Sequence, residues 1–349
     1  MTLRPSRPLG EAQGERTQDE RRYVRIAGWG MYLPERIMPN RELEQLVDTS
    51  DEWIRARTGI GERRIAAPEE STCSLAVQAG RRALDRAGVT PEELDLIIVA
   101  TCTPDYSNMP ATASLVQHAL GATRAGAFDL NAVCSGFLYG LATGSQFILN
   151  GVHKAVLIIG AEVFTRILDW QDRSTCVLFG DAAGAVVLRP TSEPGGLLSF
   201  VLGSDGSGAC SLYVPAGGSR RPASHETIEA REHYVKMQGR EVFRFATRVL
   251  PESVTQALDQ AGLTTADIDL LIPHQANVRI IDAAARRLKL PDESVFANVE
   301  HYGNTSAASI PVALCEAVDG GRVCAGDTLV MSGFGAGLSW GTAVWKWHG

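Results

Sequence analysis

One cysteine of this chain lies in a sequence context that suits a catalytic nucleophile. Cys134 lies in FDLNAVCSGFLYG, between a strand-like segment and a helical pattern, and the small Ser135 and Gly136 leave room for a substrate. A thiol at a helix N-terminus gains thiolate character from the free N–H groups and the helix dipole. The pattern therefore predicts a nucleophilic cysteine, with an inert structural thiol as the alternative that this segment leaves open.

Two further polar residues follow strand-like or turn-like segments. His274 comes after the apolar run LLIP, and Pro273 ends that strand, so the imidazole projects from a strand end, where α/β proteins place their chemistry. Asn277 can cap the helix that follows. A buried histidine satisfied by its neighbours is the other interpretation. Asn304, in HYGNTSAAS, is by its own context better explained as a turn with a helix cap.

A glycine run, GFGAG, extends from Gly333 to Gly337. It precedes a strand-like segment instead of opening a helix, which is the wrong context for a dinucleotide-binding fingerprint. Glycines at this place would let backbone N–H groups approach a reacting carbonyl, as an oxyanion hole requires. A tight turn between two strands is a compatible interpretation of the same run.

Arginines form two rows on the predicted helices that flank His274. One row recurs every four residues after Gly239, and the other falls on the polar face of the helix after His274. Beside a candidate active site, two basic stripes favour docking of an anionic carrier or a phosphate-bearing substrate, although a solvated helix face commonly explains one stripe. These arginines are Arg240, Arg244, Arg248, Arg279, Arg286 and Arg287.

An internal repeat organises the elements that must position these residues. The segment ALDRAGVTPEELDLIIVA (83–100) returns as ALDQAGLTTADIDLLIPH (257–274), and both copies predict a helix end, a glycine stop, a turn and a buried strand. Weaker similarity joins 154–162 to 327–335 and 184–190 to 341–347. Alternating helices and apolar strands indicate an α/β fold built from two copies of one unit.

The repeat also divides the chain. We predict a flexible leader over residues 1–21, a first half over 22–195 and a second half over 196–349, with the junction at TSEPGG. Because no long linker separates the halves, they are expected to share one core.

The composition of the chain excludes several classes of protein function. The 349 residues are 45% hydrophobic and 21% charged with a net charge of −7, which excludes a globally basic nucleic-acid binder. No apolar stretch reaches the about 20 residues of a membrane span, so we expect a cytoplasmic protein. Seven scattered cysteines without a C-x-x-C pair fit neither a disulfide framework nor a zinc site, and most are expected to be buried thiols.

Taken together, the motifs resemble one family. A cysteine after a strand, PHQAN after a repeated strand, GNTSAAS and a terminal GFGAG, in this order on a duplicated α/β chain, resemble the thiolase superfamily and within it β-ketoacyl-acyl-carrier-protein synthase III. DTSDEWIRARTGI (48–60) and FGDAAGAVVL (179–188) extend the match, which runs from about Tyr23 to the C-terminus. The resemblance implies a thiolase-like five-layered αβαβα fold and a homodimer.

The resemblance also implies a reaction and its residues. Cys134, His274 and Asn304 would form a catalytic triad that joins an acyl-CoA primer to malonyl-acyl-carrier protein, with backbone N–H groups of Cys134 and Ala336 as the oxyanion hole. No metal or redox cofactor and no nucleic-acid or membrane partner is implied. Positions matching the CoA site are Trp53, Arg57, Arg173, Gly239, Phe243, Asn277 and Arg279, and those matching the carrier-protein patch are Arg244, Arg279, Arg286 and Arg287.

One position departs from the acetyl-specific members of that family. Met109 stands where they carry a bulky aromatic residue that crosses the dimer interface and closes the acyl pocket. Methionine is thinner and more flexible, so we hypothesise that primers longer than acetyl are accepted.

A specialised starter enzyme with the same triad is the alternative function. A thiolase is disfavoured because Cys315 and Cys324 precede the C-terminal glycine loop.

Overall fold

The computed structural model describes residues 22–349, and the predicted leader over 1–21 lies outside this range. The strands are β1 (Tyr23–Tyr32), β2 (Arg36–Pro39), β3 (Glu62–Ile65), β4 (Leu96–Ala100), β5 (Gly126–Leu130), β6 (Val156–Glu162), β7 (Ala182–Thr191), β8 (Gly196–Ser204), β9 (Leu212–Tyr213), β10 (Lys236–Met237), β11 (Leu270–Pro273), β12 (Thr328–Gly335) and β13 (Ser339–Lys346). The α-helices are α1 (Asn40–Leu43), α2 (Asp51–Thr58), α3 (Thr72–Ala87), α4 (Thr112–Leu120), α5 (Gly136–Leu149), α6 (Arg173–Cys176), α7 (His225–Glu229), α8 (Gly239–Ala261), α9 (Val278–Leu288), α10 (Val299–Tyr302) and α11 (Ser309–Asp319). Within this range no helix is both long and apolar enough to cross a membrane.

Two mixed sheets repeat one strand order. The first runs β1-β7-β6-β4-β5 and the second runs β8-β13-β12-β11. In each sheet the strand that follows the repeated helix, β4 or β11, is parallel to its neighbours, and the other pairs are antiparallel. A parallel bridge between Leu271 and Val295 occupies the edge of the second sheet that β5 occupies in the first. The predicted duplication is therefore present in the strand order, and the predicted junction falls between β7 and β8.

The repeated segments match in local detail. Gly88 and Gly262 end α3 and α8 in the left-handed conformation, with φ of 61° and 68°. A short 3-10 turn follows each, closed by reciprocal capping between Thr90 and Glu93 in one copy and between Thr264 and Asp267 in the other. Such a cap satisfies two backbone N–H groups at the start of each turn. The sequence match thus reflects the same stop, turn and strand.

Five layers result from the way the helices cover the sheets. Helix α5 contacts β4 and β6 of the first sheet and β8 and β13 of the second, while α11 contacts both sheets from the same central layer. Helices α3 and α4 cover the outer face of the first sheet, and α8 with α9 covers that of the second. Side chains alternate accordingly along β6, where Ile158 joins the central core and Leu157 and Ile159 join the outer one. The predicted five-layered αβαβα fold is confirmed.

One glycine fixes the distance between β6 and the segment that precedes α11. A Cβ on Gly160 would lie 2.2 Å from the backbone oxygen of Ala307. We therefore expect Gly160→Ala to lower the free energy of unfolding by about 2–3 kcal/mol, since a packed backbone would have to move. Urea denaturation measures this change. Gly206→Ala, whose Cβ meets nothing within 4 Å, serves as the matched control and should stay within about 0.5 kcal/mol.

Candidate active site

Cys134 lies at the turn between β5 and α5. It is buried in a 3-10 turn, Val133–Ser135, directly before α5 begins at Gly136. Val133 adopts φ of 50°, a left-handed conformation that a β-branched residue rarely takes. Non-glycine strain of this kind persists where the surrounding structure holds it, often at functional sites. The structure thus places the thiol at the strand-to-helix junction predicted from the sequence.

Asn304 occupies a second copy of the same turn. Ser306 repeats the φ of 50° found at Val133, and the dihedral angles of the residues on either side agree between the copies. The Oδ1 atom of Asn131 accepts from Val133 N at 3.2 Å, and that of Asn304 accepts from Ser306 N at 2.8 Å. Because this bond occupies Oδ1, the amide N–H₂ group of Asn304 is the part available to a ligand.

His274 follows β11 and is held on two sides. Its backbone N donates to Ser332 O at 2.8 Å, and its Nδ1 lies 2.5 Å from the Oγ of Ser309. Ser309 Oγ also accepts from Gln275 N at 3.4 Å, so its own proton is free to be donated to Nδ1. The proton of a neutral ring then resides on Nε2. Burial lowers the pKa of His274 to about 3, which keeps the ring neutral.

Burial also governs the thiol. It raises the pKa of Cys134 to about 12, opposed by the hydroxyl of Ser306 and by the local backbone. Desolvation of the sulfur therefore opposes the thiolate character expected from the helix N-terminus. The proton on this sulfur must be passed to another group when the sulfur reacts.

One cavity of about 670 Å³ brings Cys134, His274 and Asn304 together. Its wall is largely apolar and includes Phe179, Leu212, Met237, Val242, Ile280 and Phe334. Of the predicted CoA positions, Trp53, Arg57, Arg173, Gly239, Phe243 and Asn277 also line it. Residues more than 200 positions apart in the sequence therefore meet in one tunnel with a polar mouth and an apolar interior.

Guanidinium groups lie over aromatic rings at the mouth of the cavity. The guanidinium of Arg173 lies 4.9 Å from the ring centroid of Trp53, with that of Arg57 at 5.9 Å. Arg279 does not line the cavity; its guanidinium lies 5.7 Å from the ring of Phe243. Flat rings beside guanidinium groups suit a nucleotide base with attached phosphates.

The glycine run approaches the cysteine closely. A Cβ on Gly335 would lie 2.8 Å from the backbone N of Cys134, so only glycine fits there. Gly335 ends β12 and pairs with Ser339 across the turn, which makes the run both a strand connection and a neighbour of the thiol. Ala336 is the next residue, and its role in an oxyanion hole stays a prediction.

The predicted basic rows lie on two helices that pack against each other, α8 and α9. Some of these arginines form ion pairs with glutamates of α8. Arg244 pairs with Glu241 at 3.4 Å, while Arg248 and Arg287 share Glu252 at 3.4 and 3.3 Å. These pairs are exposed, where an ion pair contributes little to stability and leaves the arginines able to exchange partners.

Comparisons with known proteins identify the family. Family models described as 3-oxoacyl-[acyl-carrier-protein] synthase III and its C-terminal part match residues 128–206 and 258–347. A β-ketoacyl-[acyl-carrier-protein] synthase III of Symbiobacterium thermophilum is 59% identical over 326 residues, covering 93% of this chain and 98% of that relative. The chain belongs to the β-ketoacyl-acyl-carrier-protein synthase III family.

Solved structures of this family agree. The 3-oxoacyl-[acyl-carrier-protein] synthase III of Aquifex aeolicus is 47% identical, with a TM-score of 0.86 over 93% of this chain and all of that one. The priming β-ketosynthase of the R1128 polyketide pathway is 38% identical, with a TM-score of 0.86 over 96% of this chain and 99% of that one. The family resemblance and the thiolase-like fold predicted from the motifs are confirmed.

Sequence reasoning missed three side chains of this synthase III site. Glu162 ends β6 and is fully buried, and its signal was a single acid closing the apolar run KAVLIIGAE. Ser306 and Ser309 lie within GNTSAAS, a segment in which only the asparagine has a recognisable sequence signal. Of the seven thiols, Cys134, Cys176 and Cys315 are buried, Cys73 and Cys102 are partly buried, and Cys210 and Cys324 are exposed.

Proposed function

We propose that this chain initiates fatty acid synthesis by a decarboxylative Claisen condensation. An acyl-CoA primer and malonyl-acyl-carrier protein give 3-oxoacyl-acyl-carrier protein, CO₂ and CoA. The observation that carries the proposal is the single cavity in which a thiol, a neutral imidazole and an amide group meet below an aromatic and cationic mouth. Family membership makes the same assignment of the overall reaction.

The first half-reaction loads the primer on Cys134. Its sulfur attacks the thioester carbonyl, CoA leaves, and the acyl group stays on the cysteine, which divides one difficult condensation into two steps. Backbone N–H groups of Cys134 and Ala336 hold the oxyanion, and one such donor is worth on the order of 10²-fold in rate. The apolar wall with Phe179 and Phe334 receives the acyl chain.

The second half-reaction forms the carbon–carbon bond. His274 through Nε2–H and Asn304 through its N–H₂ donate to the thioester oxygen of the malonyl group, stabilising the enolate that loss of CO₂ produces. The carbanion attacks the acyl-Cys134 carbonyl and expels the sulfur. Loss of CO₂ drives the step, so neither a metal nor a redox cofactor enters the proposed chemistry.

The mouth of the cavity binds the CoA moiety. Adenine is sandwiched between Trp53 and Arg173, which lie against each other at 4.9 Å in this structure. Arg57, Gly239, Phe243 and Asn277 follow the pantetheine arm, with Asn277 already fixed by its Nδ2 bond to the carbonyl of Arg57 at 3.1 Å. Arg279 lies outside the cavity and supports this wall through the ring of Phe243, at 5.7 Å. Stacking and charge together select a nucleotide with phosphates over a bare thioester.

The direct test is product formation. Acetyl-CoA or butyryl-CoA is incubated with the enzyme and malonyl-acyl-carrier protein, and the carrier protein is analysed by intact mass. The expected product is a 3-oxoacyl-carrier protein whose mass follows the primer supplied. A carrier protein that remains malonylated with every primer would refute the proposed function.

The loop that holds Met109 sets the expected primer range. Met109 is 79% exposed between β4 and α4. If it closes the acyl pocket of a partner subunit, its thin, flexible side chain leaves room for longer primers. We expect butyryl-CoA and hexanoyl-CoA to acylate the wild type within about tenfold of acetyl-CoA, and Met109→Phe to shift the preference toward acetyl. Strict acetyl preference of the wild type would contradict this; a broad range would also suit a starter enzyme of specialised metabolism.

The arginines of α8 and α9 are the proposed dock for the acidic carrier protein, through Arg244, Arg279, Arg286 and Arg287. Arg286→Glu should raise KM for malonyl-acyl-carrier protein on the order of tenfold, because a like charge would face the carrier. Acylation by acetyl-CoA should be unchanged. Arg81→Glu, on α3 at the opposite outer layer, is the control. Equal effects of the two reversals would show that general charge, not docking, is responsible.

An open sheet edge supports the proposed homodimer. Strand β5 is the last strand of its sheet, and Phe128 on it is exposed together with Tyr106 and Met109 of the neighbouring loop. An unpaired edge with apolar side chains favours pairing with another chain. Light scattering should give twice the mass of one chain, and Phe128→Lys should lower it.

A further inference from the structure

A buried carboxyl group lies beside the turn that holds Asn304. Glu162 ends β6 with no exposed surface, and the proposed mechanism assigns it no role. Its Oε1 accepts from Cys102 N at 3.1 Å, from Cys102 Sγ at 3.3 Å and from Ser306 Oγ at 3.0 Å. Its Oε2 accepts from Thr101 Oγ1 at 3.1 Å, from Thr103 N at 3.0 Å and from the Thr103 hydroxyl. Glu162 thus joins the segment after β4 to the turn before α11.

Ser306 links this carboxyl group to Asn304. Its hydroxyl donates to Glu162, and its backbone N–H donates to Asn304 Oδ1 at 2.8 Å. The backbone of Asn304 is held separately, since its N donates to Leu178 O at 2.8 Å and its O accepts from Gly180 N at 3.0 Å. The bond from Ser306 N therefore fixes the rotation of the side-chain amide, which leaves the N–H₂ group for a ligand.

The backbone conformation of Ser306 depends on such a tether. Its φ is 50°, in the left-handed region that favours glycine. A serine is strained there, and the strain persists only where the surroundings hold the residue in place. Relaxation of Ser306 to negative φ would turn its N–H away from Asn304 and release the amide.

The other copy of this turn has no hydroxyl to tether. Val133 has the same φ of 50°, and its N donates to Asn131 Oδ1 at 3.2 Å, but its side chain cannot donate a hydrogen bond. Asn131 is exposed, whereas Asn304 is buried and lines the cavity with Cys134. The tether therefore occurs in the copy whose asparagine belongs to the cavity, which favours a role in orienting that amide.

We infer that Glu162 is a positioning residue for Asn304. Its carboxyl group holds the hydroxyl of Ser306, the tether keeps Ser306 in the left-handed conformation, and the N–H of Ser306 keeps the amide of Asn304 in one rotation. The N–H₂ group is then oriented before the malonyl thioester arrives, so no reorientation is needed as the enolate forms. This inference rests on the proposed function, and it concerns the condensation step, because loading of Cys134 needs no donation from Asn304.

The test compares the two half-reactions. Ser306→Ala removes the hydroxyl, and Glu162→Gln brings an N–H₂ group among donors that need an acceptor. The maximal rate of CO₂ release from malonyl-acyl-carrier protein by preformed acyl-enzyme should fall about tenfold in each variant, because a misplaced donor stabilises the enolate less. The carrier-protein concentration that gives half of this rate should be unchanged. Acylation of Cys134 by acetyl-CoA should stay within about threefold of the wild type.

Two further variants separate positioning from general stability. Ser306→Gly also lacks the hydroxyl but adopts positive φ without strain, so its CO₂ release should stay within about threefold of the wild type. In an Asn304→Ala background, Ser306→Ala should cause no further loss, because the amide that Ser306 orients is already gone.

Thr101→Val is the matched control, since it removes a donor to the other oxygen of Glu162 and leaves the bond from Ser306 in place. Its CO₂ release should stay close to that of the wild type. Wild-type CO₂ release in both Ser306→Ala and Glu162→Gln would overturn the inference. Equal losses in both half-reactions, equal losses in Ser306→Ala and Ser306→Gly, or a loss that adds to that of Asn304→Ala would also overturn it. Absence of CO₂ release by the wild-type acyl-enzyme would instead refute the proposed function.

Discussion

In a Cys134→Ala variant, incubation with acetyl-CoA is expected to leave the intact mass unchanged, whereas the wild type gains one acetyl group. The reason is positional. Cys134 is the cysteine that lines the cavity, and a Cβ on Gly335 would lie 2.8 Å from its backbone N. Without this sulfur no acyl group can be held for the second step, so condensation should fall on the order of 10³-fold or more.

The surface thiols supply the control for that experiment. Cys210 is exposed, and Cys210→Ala should acquire the adduct at the wild-type rate. Peptide mapping of the wild-type adduct should find the acyl group on the peptide that contains Cys134. An adduct that persists in Cys134→Ala, with loss of adduct in another cysteine variant, would move the nucleophile to that residue.

The fold could be predicted from local sequence patterns because both copies of the duplicated unit contain the same short-range signals. A glycine stop, a capped turn and an apolar strand recur in both copies, and each is decided by residues within a few positions of one another. The strand order follows once two such units exist. The reduced edge strand at Val295 was beyond prediction, since one bridge leaves no alternating pattern to detect.

The candidate site was predictable where a residue type and its neighbours announce the chemistry, as for Cys134 and His274. Prediction of the site failed where a property of a residue is caused by residues far away in the sequence. The pKa of Cys134 depends on burial by the second half of the chain, which no helix N-terminus reveals. Glu162 and Ser306 are 144 positions apart, so their hydrogen bond leaves no local pattern.

Loss of the imidazole should affect the half-reaction that follows loading. In His274→Ala, acylation of Cys134 by acetyl-CoA should stay within about threefold of the wild type. Decarboxylation of malonyl-acyl-carrier protein by the acyl-enzyme should fall by about 10²-fold or more, because one of the two proposed donors to the enolate oxygen is gone. Release of CO₂ from preformed acyl-enzyme measures this step separately from loading.

The protonation state of His274 supplies a second readout for the same role. Burial lowers the pKa of His274 to about 3, so the ring keeps its Nε2–H and its neutral charge from pH 8 down to pH 5. The wild-type rate of CO₂ release should therefore show no inflection near 6.5, where an exposed histidine would gain a proton. An inflection there that vanishes in His274→Ala would mean that the ring titrates during turnover, and the neutral-donor role would be wrong. Equal losses of loading and decarboxylation in His274→Ala would show that the side chain only maintains the structure of the cavity.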